Sequence, residues 1–101
     1  MTVATLTILY WRDIPAQVIA RSGRAQSKRE LSARFMEAID SAAMRSGAHG
    51  TEAYLNAWRR GAPEPCGEAL DEVVAATAAR LEREYDENRL ALLVGNDGRE
   101  T

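Results

Sequence analysis

The sequence predicts an α+β domain: an N-terminal β-hairpin packed against three or four α-helices in a single compact unit. Three observations carry this. Residues 6–21 (LTILYWRDIPAQVIAR) form the one stretch where strand-formers crowd together, with a proline turn in the middle. Behind it come several stretches with apolar residues at helical spacing, the clearest over 68–85. A length of 101 residues, 46% apolar and 28% charged, suits one soluble domain that folds without metal or disulfide staples.

Residues 3–11 alternate as a half-buried strand does. Leu6, Ile8 and Tyr10 take one face, while Val3, Thr5, Thr7, Leu9 and Trp11 take the other, whose threonines make its beginning wetter. Residues 12–15 (RDIP) break the run, because Asp favours turns and Pro cannot donate to a ladder. Residues 16–21 (AQVIAR) resume it and close a hairpin. Two strands alone are marginal in water, so helices or further strands must cover this ribbon. Residues 22–26 (SGRAQ) read as a loop.

The helix that follows has two plausible starts: Ser27, with Glu30 completing a capping box, or Ser32. Leu31, Phe35, Ala38, Ile39 and Ala42 form its buried stripe, broadened by Met36, Ala43 and Met44, and Ser46-Gly47 ends it. Thr51 caps a second, short helix over 52–60, with Tyr54, Leu55 and Trp58 as its apolar face. Residues 61–67 (GAPEPCG) read as a connection between helices. In 68–85, Leu70, Val73, Val74, Thr77, Leu81 and Tyr85 keep one face. Asp86 caps a further helix over 87–94, or else residues 90–94 form a third strand. The domain is expected over 1–95, followed by a polar tail at 96–101 that frays.

Cys66 is the lone cysteine, which excludes an internal disulfide and fits a reducing cytosol. No basic residue precedes the first apolar run and no stretch approaches eighteen apolar residues, so neither a signal peptide nor a membrane span is expected. The net charge of −2 is unevenly spread. Residues 1–60 carry nine Lys/Arg against five Asp/Glu (net +4), and residues 61–101 carry four against ten (net −6). Either basic and acidic elements pack side by side, or a basic face awaits an acidic partner.

No residue set amounts to a catalytic, cofactor or metal motif. His49 is the single histidine, in an expected loop, and Cys66 has no paired cysteine. Tyr10, Trp11, Arg12 and Asp13 put an aromatic pair and an opposed charge pair at a strand end. Such a turn can be a recognition surface; the structural alternative buries Trp11 under a helix and uses Arg12 or Asp13 to fix the turn. Arg21, Arg24, Lys28 and Arg29 form a basic run across the loop and helix start. Nucleic-acid binding would use such a cluster, but aromatic or glycine-rich companions are missing and cations oppose the dipole at a helix N-terminus. Arg59-Arg60 complements the dipole of the second helix.

YWRDIPAQV at 10–18, KRELSARFMEAIDSAAMR at 28–45 and TEAYLNAWRR at 51–60 resemble the small bacterial virulence factor family, which includes the C-terminal domain of conserved virulence factor C-type proteins. The resemblance spans roughly 5–94, and WRDIPAQV is its most distinctive part. It implies a domain found alone or attached to helical-repeat and scaffold-like modules. It brings no reaction, catalytic residue or cofactor.

The expectation is therefore a non-catalytic cytoplasmic protein-interaction or accessory module with an unidentified protein partner. Tyr10, Trp11, Arg12 and Asp13 would form its surface, the run 21–29 would steer an acidic partner, and an exposed hairpin edge could pair two copies. The alternatives are nucleic-acid binding through 21–29, or an enzyme or a small accessory protein to a metabolic enzyme, in which Tyr10, Asp13, His49 and Cys66 converge in a pocket.

Overall fold

The structure, a computed structural model, describes residues 3–100. The expected domain start at residue 1 and the last residue of the expected tail lie outside the described residues. Strand β1 (Thr5–Trp11) turns at Arg12 and Asp13 into β2 (Ile14–Ser22), and the two pair antiparallel with Ile8 opposite Val18 and Trp11 opposite Ile14. The register slips between Leu9, which faces Gln17, and Tyr10, which faces Pro15, so Ala16 is the extra residue of a bulge. Pro15 is tolerated because the pairing of β2 with its other neighbour reaches only to Gln17.

That neighbour corrects the sequence reading. Past a turn at Gly23 and Arg24 the chain runs on as β3 (Ala25–Glu30), with Ile19 opposite Lys28 and Ala20 opposite Ser27. A loop over 22–26 and a helix start at Ser27 are both overturned. The outer edge of β2 needs backbone partners, and Ser27 Oγ donates to Asp71 (2.6 Å) instead of capping a helix. Helix α1 (Ala33–Arg45) takes the later start, with Ser32 at its N-cap position. Ser32 sends both its N–H (2.7 Å) and its Oγ (2.8 Å) to the Glu82 carboxylate.

In α1 the stripe Phe35, Ala38, Ile39, Ala42 and Ala43 is buried, whereas Met36 and Met44 are exposed. Gly47 (φ 77°) ends the helix in the left-handed conformation, as expected. The second helix, α2 (Glu52–Asn56), is shorter than expected, because Trp58–Arg60 leaves it to become β4 and pairs with Leu9–Trp11 of β1. β5 (Glu64–Pro65) pairs with Thr5 and Leu6 further along the same edge. Then come α3 (Leu70–Glu84), which buries Val74, Thr77, Ala78 and Leu81, and α4 (Glu87–Gly95). Residues 90–94 are thus helical. The start of α4 is the capped one: the Asp86 carboxylate accepts from Arg89 N–H at 2.9 Å. Asp86→Ala is expected to cost about 1 kcal/mol in urea unfolding.

Among the described residues the fold is a five-stranded antiparallel sheet, in the order β3-β2-β1-β4 with β5 also on β1, and four helices. α3 packs over β2 and β3, on the face that carries Leu6, Ile8, Val18 and Ala20, and α1 packs with α4 and against β2. The opposite face carries three rungs: Thr5–Arg21–Gln26, Thr7–Ile19–Lys28 and Leu9–Gln17–Glu30. Trp11, Ile14, Val18, Phe35 and Ile39 are fully buried and anchor the core.

Candidate functional site

The β1–β2 turn uses up nearly all of its own chemistry. Trp11 is 0% exposed; its Nε1 donates to Tyr54 O at 2.9 Å, and the two rings lie 5.8 Å apart. Arg12 takes a left-handed conformation (φ 54°), which turns the chain within two residues, and its N–H donates to Ala57 O at 3.0 Å. Its guanidinium stacks 4.7 Å from the Trp11 ring centroid and donates to Asp97 O at 2.7 Å. Asp13 N–H donates to Gly98 O at 2.8 Å, while its carboxylate accepts from Glu100 N–H (2.7 Å) and Arg59 Nη2 (3.1 Å). Arg59 also donates to Arg12 O at 2.9 Å and lies 4.5 Å from the Tyr10 ring centroid.

Two sequence expectations change here. Residues 96–100 do not fray. They fold back over the turn, because Asp13 and Arg12 supply partners for their backbone. Arg59 complements no helix dipole, since α2 ends at Asn56 and Arg59 binds the turn from β4. Trp11 presents no surface at all, so within the turn Tyr10, Arg12 and Asp13 act as fasteners between β1, β4 and the chain's C-terminal segment.

The basic run has a different character. Arg21 lies near the end of β2, Arg24 in the following turn, and Lys28 and Arg29 on β3; all four are exposed. None sits on a helix, so the expected clash with a helix dipole does not arise. Among the described residues, Arg34, Arg45, Arg59, Arg80 and Arg89 each have a carboxylate within 4.0 Å, and none of these four cations does. Arg21 reaches only Gln26 Oε1, at 3.3 Å. The nearby carboxylates of Glu68 and Asp71 are held by the hydroxyls of Ser22 (2.8 Å) and Ser27 (2.6 Å) on the α3 side. The register places Arg21 and Lys28 on the face opposite α3 and Arg29 on the α3 side. Arg60, opposite Leu9, lies on the same face as Arg21 and Lys28, which also carries Glu30. The two halves of the chain do neutralise each other elsewhere, at Arg34–Glu82 (2.9 Å) and Arg45–Asp97 (3.6 Å).

Tyr10, Asp13, His49 and Cys66 are not brought together. Cys66 is half-buried and its N–H donates to Ala4 O (3.0 Å), before β1 begins, whereas Tyr10 and Asp13 lie at the strand's far end. At about 3.3 Å per residue, the six residues from Ala4 to Tyr10 span roughly 20 Å. His49 is exposed between α1 and α2. Among the described residues no three His, Cys, Asp or Glu side chains group so as to hold a metal ion. A cleft of about 310 Å³ lies between α3 and residues 61–64, floored by Leu6, Ile8 and Leu81 and flanked by Tyr10 and Tyr85. Burial pushes the Tyr85 phenol above its ordinary value, with Arg89 pulling the other way. No helix among the described residues is long and apolar enough to cross a membrane.

The sequence pattern of the virulence factor family matches residues 9–94. The chain belongs to the virulence factor family. No curated protein sequence and no solved structure matches it. The family match takes in the β1–β2 turn, the whole basic ribbon, α1 and α3, and stops before the segment 96–100 that closes over Trp11. The virulence factor domain thus contains the turn and its own fastener Arg59, while Asp97, Gly98 and Glu100 lie beyond the matched region.

Proposed function

We propose that this virulence factor domain is a non-catalytic protein-interaction module that docks an acidic partner on its β2–β3 ribbon. The observation that carries the reading is the clustering on one ribbon of four exposed cations, Arg21, Arg24, Lys28 and Arg29, none of which has a carboxylate within 4.0 Å among the described residues. Exposed like charges on a rigid ribbon raise the encounter rate with an acidic surface and reject basic ones. The turn at 10–13 supports the site by locking β1, and most of its polar groups are already engaged. The domain would work in the cytoplasm, where the lone Cys66 stays reduced.

Arg21→Gln/Lys28→Gln removes charge from exposed positions and leaves the core untouched. A fluorescein-labelled ten-residue polyglutamate peptide is expected to bind the wild-type domain at low salt, and the double variant about tenfold more weakly. Fluorescence anisotropy, with thermal melts as the control for folding, reads both. Equal affinity of the two proteins, or binding that is indifferent to salt, would remove the ribbon as the docking surface.

A further inference from the structure

We infer that the partner contributes an extended acidic segment that adds to the sheet as a new strand along β3; this rests on the interaction reading above and specifies its geometry. The two edges of the sheet differ. On the far side, β4 pairs with Leu9–Trp11 of β1 and β5 with Thr5 and Leu6, with Gly61 N–H donating to Ile8 O at 2.8 Å between them, so that edge consists of strands of only three and two residues. β3 is the other edge, and its backbone pairs with β2 alone. Among the described residues, no backbone or side-chain hydrogen bond from another element reaches the main chain of residues 25–30. Alternate N–H and C=O groups of β3 therefore point outward along six residues, about 20 Å of free edge. Five of those six residues are exposed, so α3 covers the face of β3 and leaves its edge open.

Charge selects the occupant. A second copy adding antiparallel over the whole of β3 would set Ser27 opposite Lys28 and Gln26 opposite Arg29, so that Lys28 and Arg29 meet the same pair diagonally across the seam on both faces, with no carboxylate opposite either. Like charges across a strand pair are destabilising. An acidic strand meets the opposite situation. Lys28 projects on the face opposite α3 and Arg29 on the α3 side, so consecutive carboxylates on the added strand, which alternate between faces, would each find a cation. Arg24, in the turn, takes a third carboxylate beyond the strand's end. Main-chain bonds would then supply affinity and the cations would set the register, the division of labour usual in strand addition.

The test leaves the protein unaltered and changes the peptide's backbone. The probe is a fluorescein-labelled, end-capped octapeptide of valine and threonine with two adjacent glutamates at its centre. Its counterpart is N-methylated on alternate peptide nitrogens, which keeps every charge and removes the donors on one edge. The parent is expected to bind, to slow amide hydrogen exchange at residues 25–30, and to lose at least about tenfold in affinity in whichever methylation frame faces β3. Equal binding of the parent and both methylated frames would overturn strand addition while leaving charge-based docking intact. Binding by neither, up to millimolar peptide, would overturn both. A single-stranded oligonucleotide of equal charge binding more tightly, or protection of residues 25–30 that rises with protein concentration alone, would replace the acidic strand by nucleic acid or by a second copy.

Discussion

Trp11→Ala is expected to lower folding stability by about 3–5 kcal/mol, the range for truncating a fully buried tryptophan. The ring has no solvent contact and fills the space between β1, α2 and the C-terminal segment. Its loss leaves a cavity, strips Tyr54 O of its donor at 2.9 Å, and removes the aromatic face beneath the Arg12 guanidinium. With ordinary domains stable by only about 5–15 kcal/mol, a change of this size takes away much of the margin. Trp11→Phe separates the two contributions: it keeps most of the volume and forfeits the indole hydrogen bond, for a smaller loss of about 1–2 kcal/mol. Urea unfolding followed by far-ultraviolet circular dichroism measures both. A midpoint for Trp11→Ala equal to that of the wild type would show that Trp11 is not the anchor of this fold.

The second large effect is Gly98→Ala, at about 2–4 kcal/mol from the left-handed backbone penalty and overpacking together. Gly98 sits at φ 86°, and a Cβ placed there would lie 3.0 Å from Trp11 Cζ3, 3.4 Å from Cε3 and 3.5 Å from the Ala42 Cβ. The indole cannot yield, because Tyr54 holds one side and the core surrounds the rest. Gly47 provides the internal control. It has φ 77° and nothing within 4 Å of a built Cβ, so Gly47→Ala incurs the backbone cost alone. Gly98→Ala is therefore expected to melt clearly below Gly47→Ala. If the two variants melt together, the close approach to Trp11 carries no energy.

These two residues also show what the sequence could and could not reveal. Trp11 sits at the end of an alternating run, and its burial is one of the two readings that the run allows. Gly98 sits in a polar tail with no pattern. Its importance comes from backbone contact with a turn far away in sequence, and nothing local encodes that. The stripes of α1 and α3 and the Asp86 cap were legible because burial and capping act within one or two turns of helix. β3 was not: AQSKRE has no apolar alternation, since Ser27 on its α3 side is held by an Asp71 hydrogen bond and its remaining residues are exposed. β4 was hidden for a related reason. Helical spacing carried the expected second helix to residue 60, but pairing with β1 opposite Trp11 claims Trp58–Arg60 first. The basic run was visible as composition, yet its placement on a free sheet edge needed β3 to be known. The turn expected to recognise a partner is bonded to residues 97–100 and Arg59, while the four cations of the ribbon have no carboxylate within 4.0 Å among the described residues.

The bonds between the β1–β2 turn and residues 97–100 join groups up to 87 positions apart in sequence. Contacts of that span form late, because the chain must give up its entropy before they contribute anything. During synthesis the hairpin is made before residues 97–100, and the pocket around the Trp11 ring cannot close until they arrive. The order of translation thus makes a later-made segment complete an earlier-made one, and until then the nascent domain leaves a large apolar side chain open to whatever chaperone or aggregation partner is nearby.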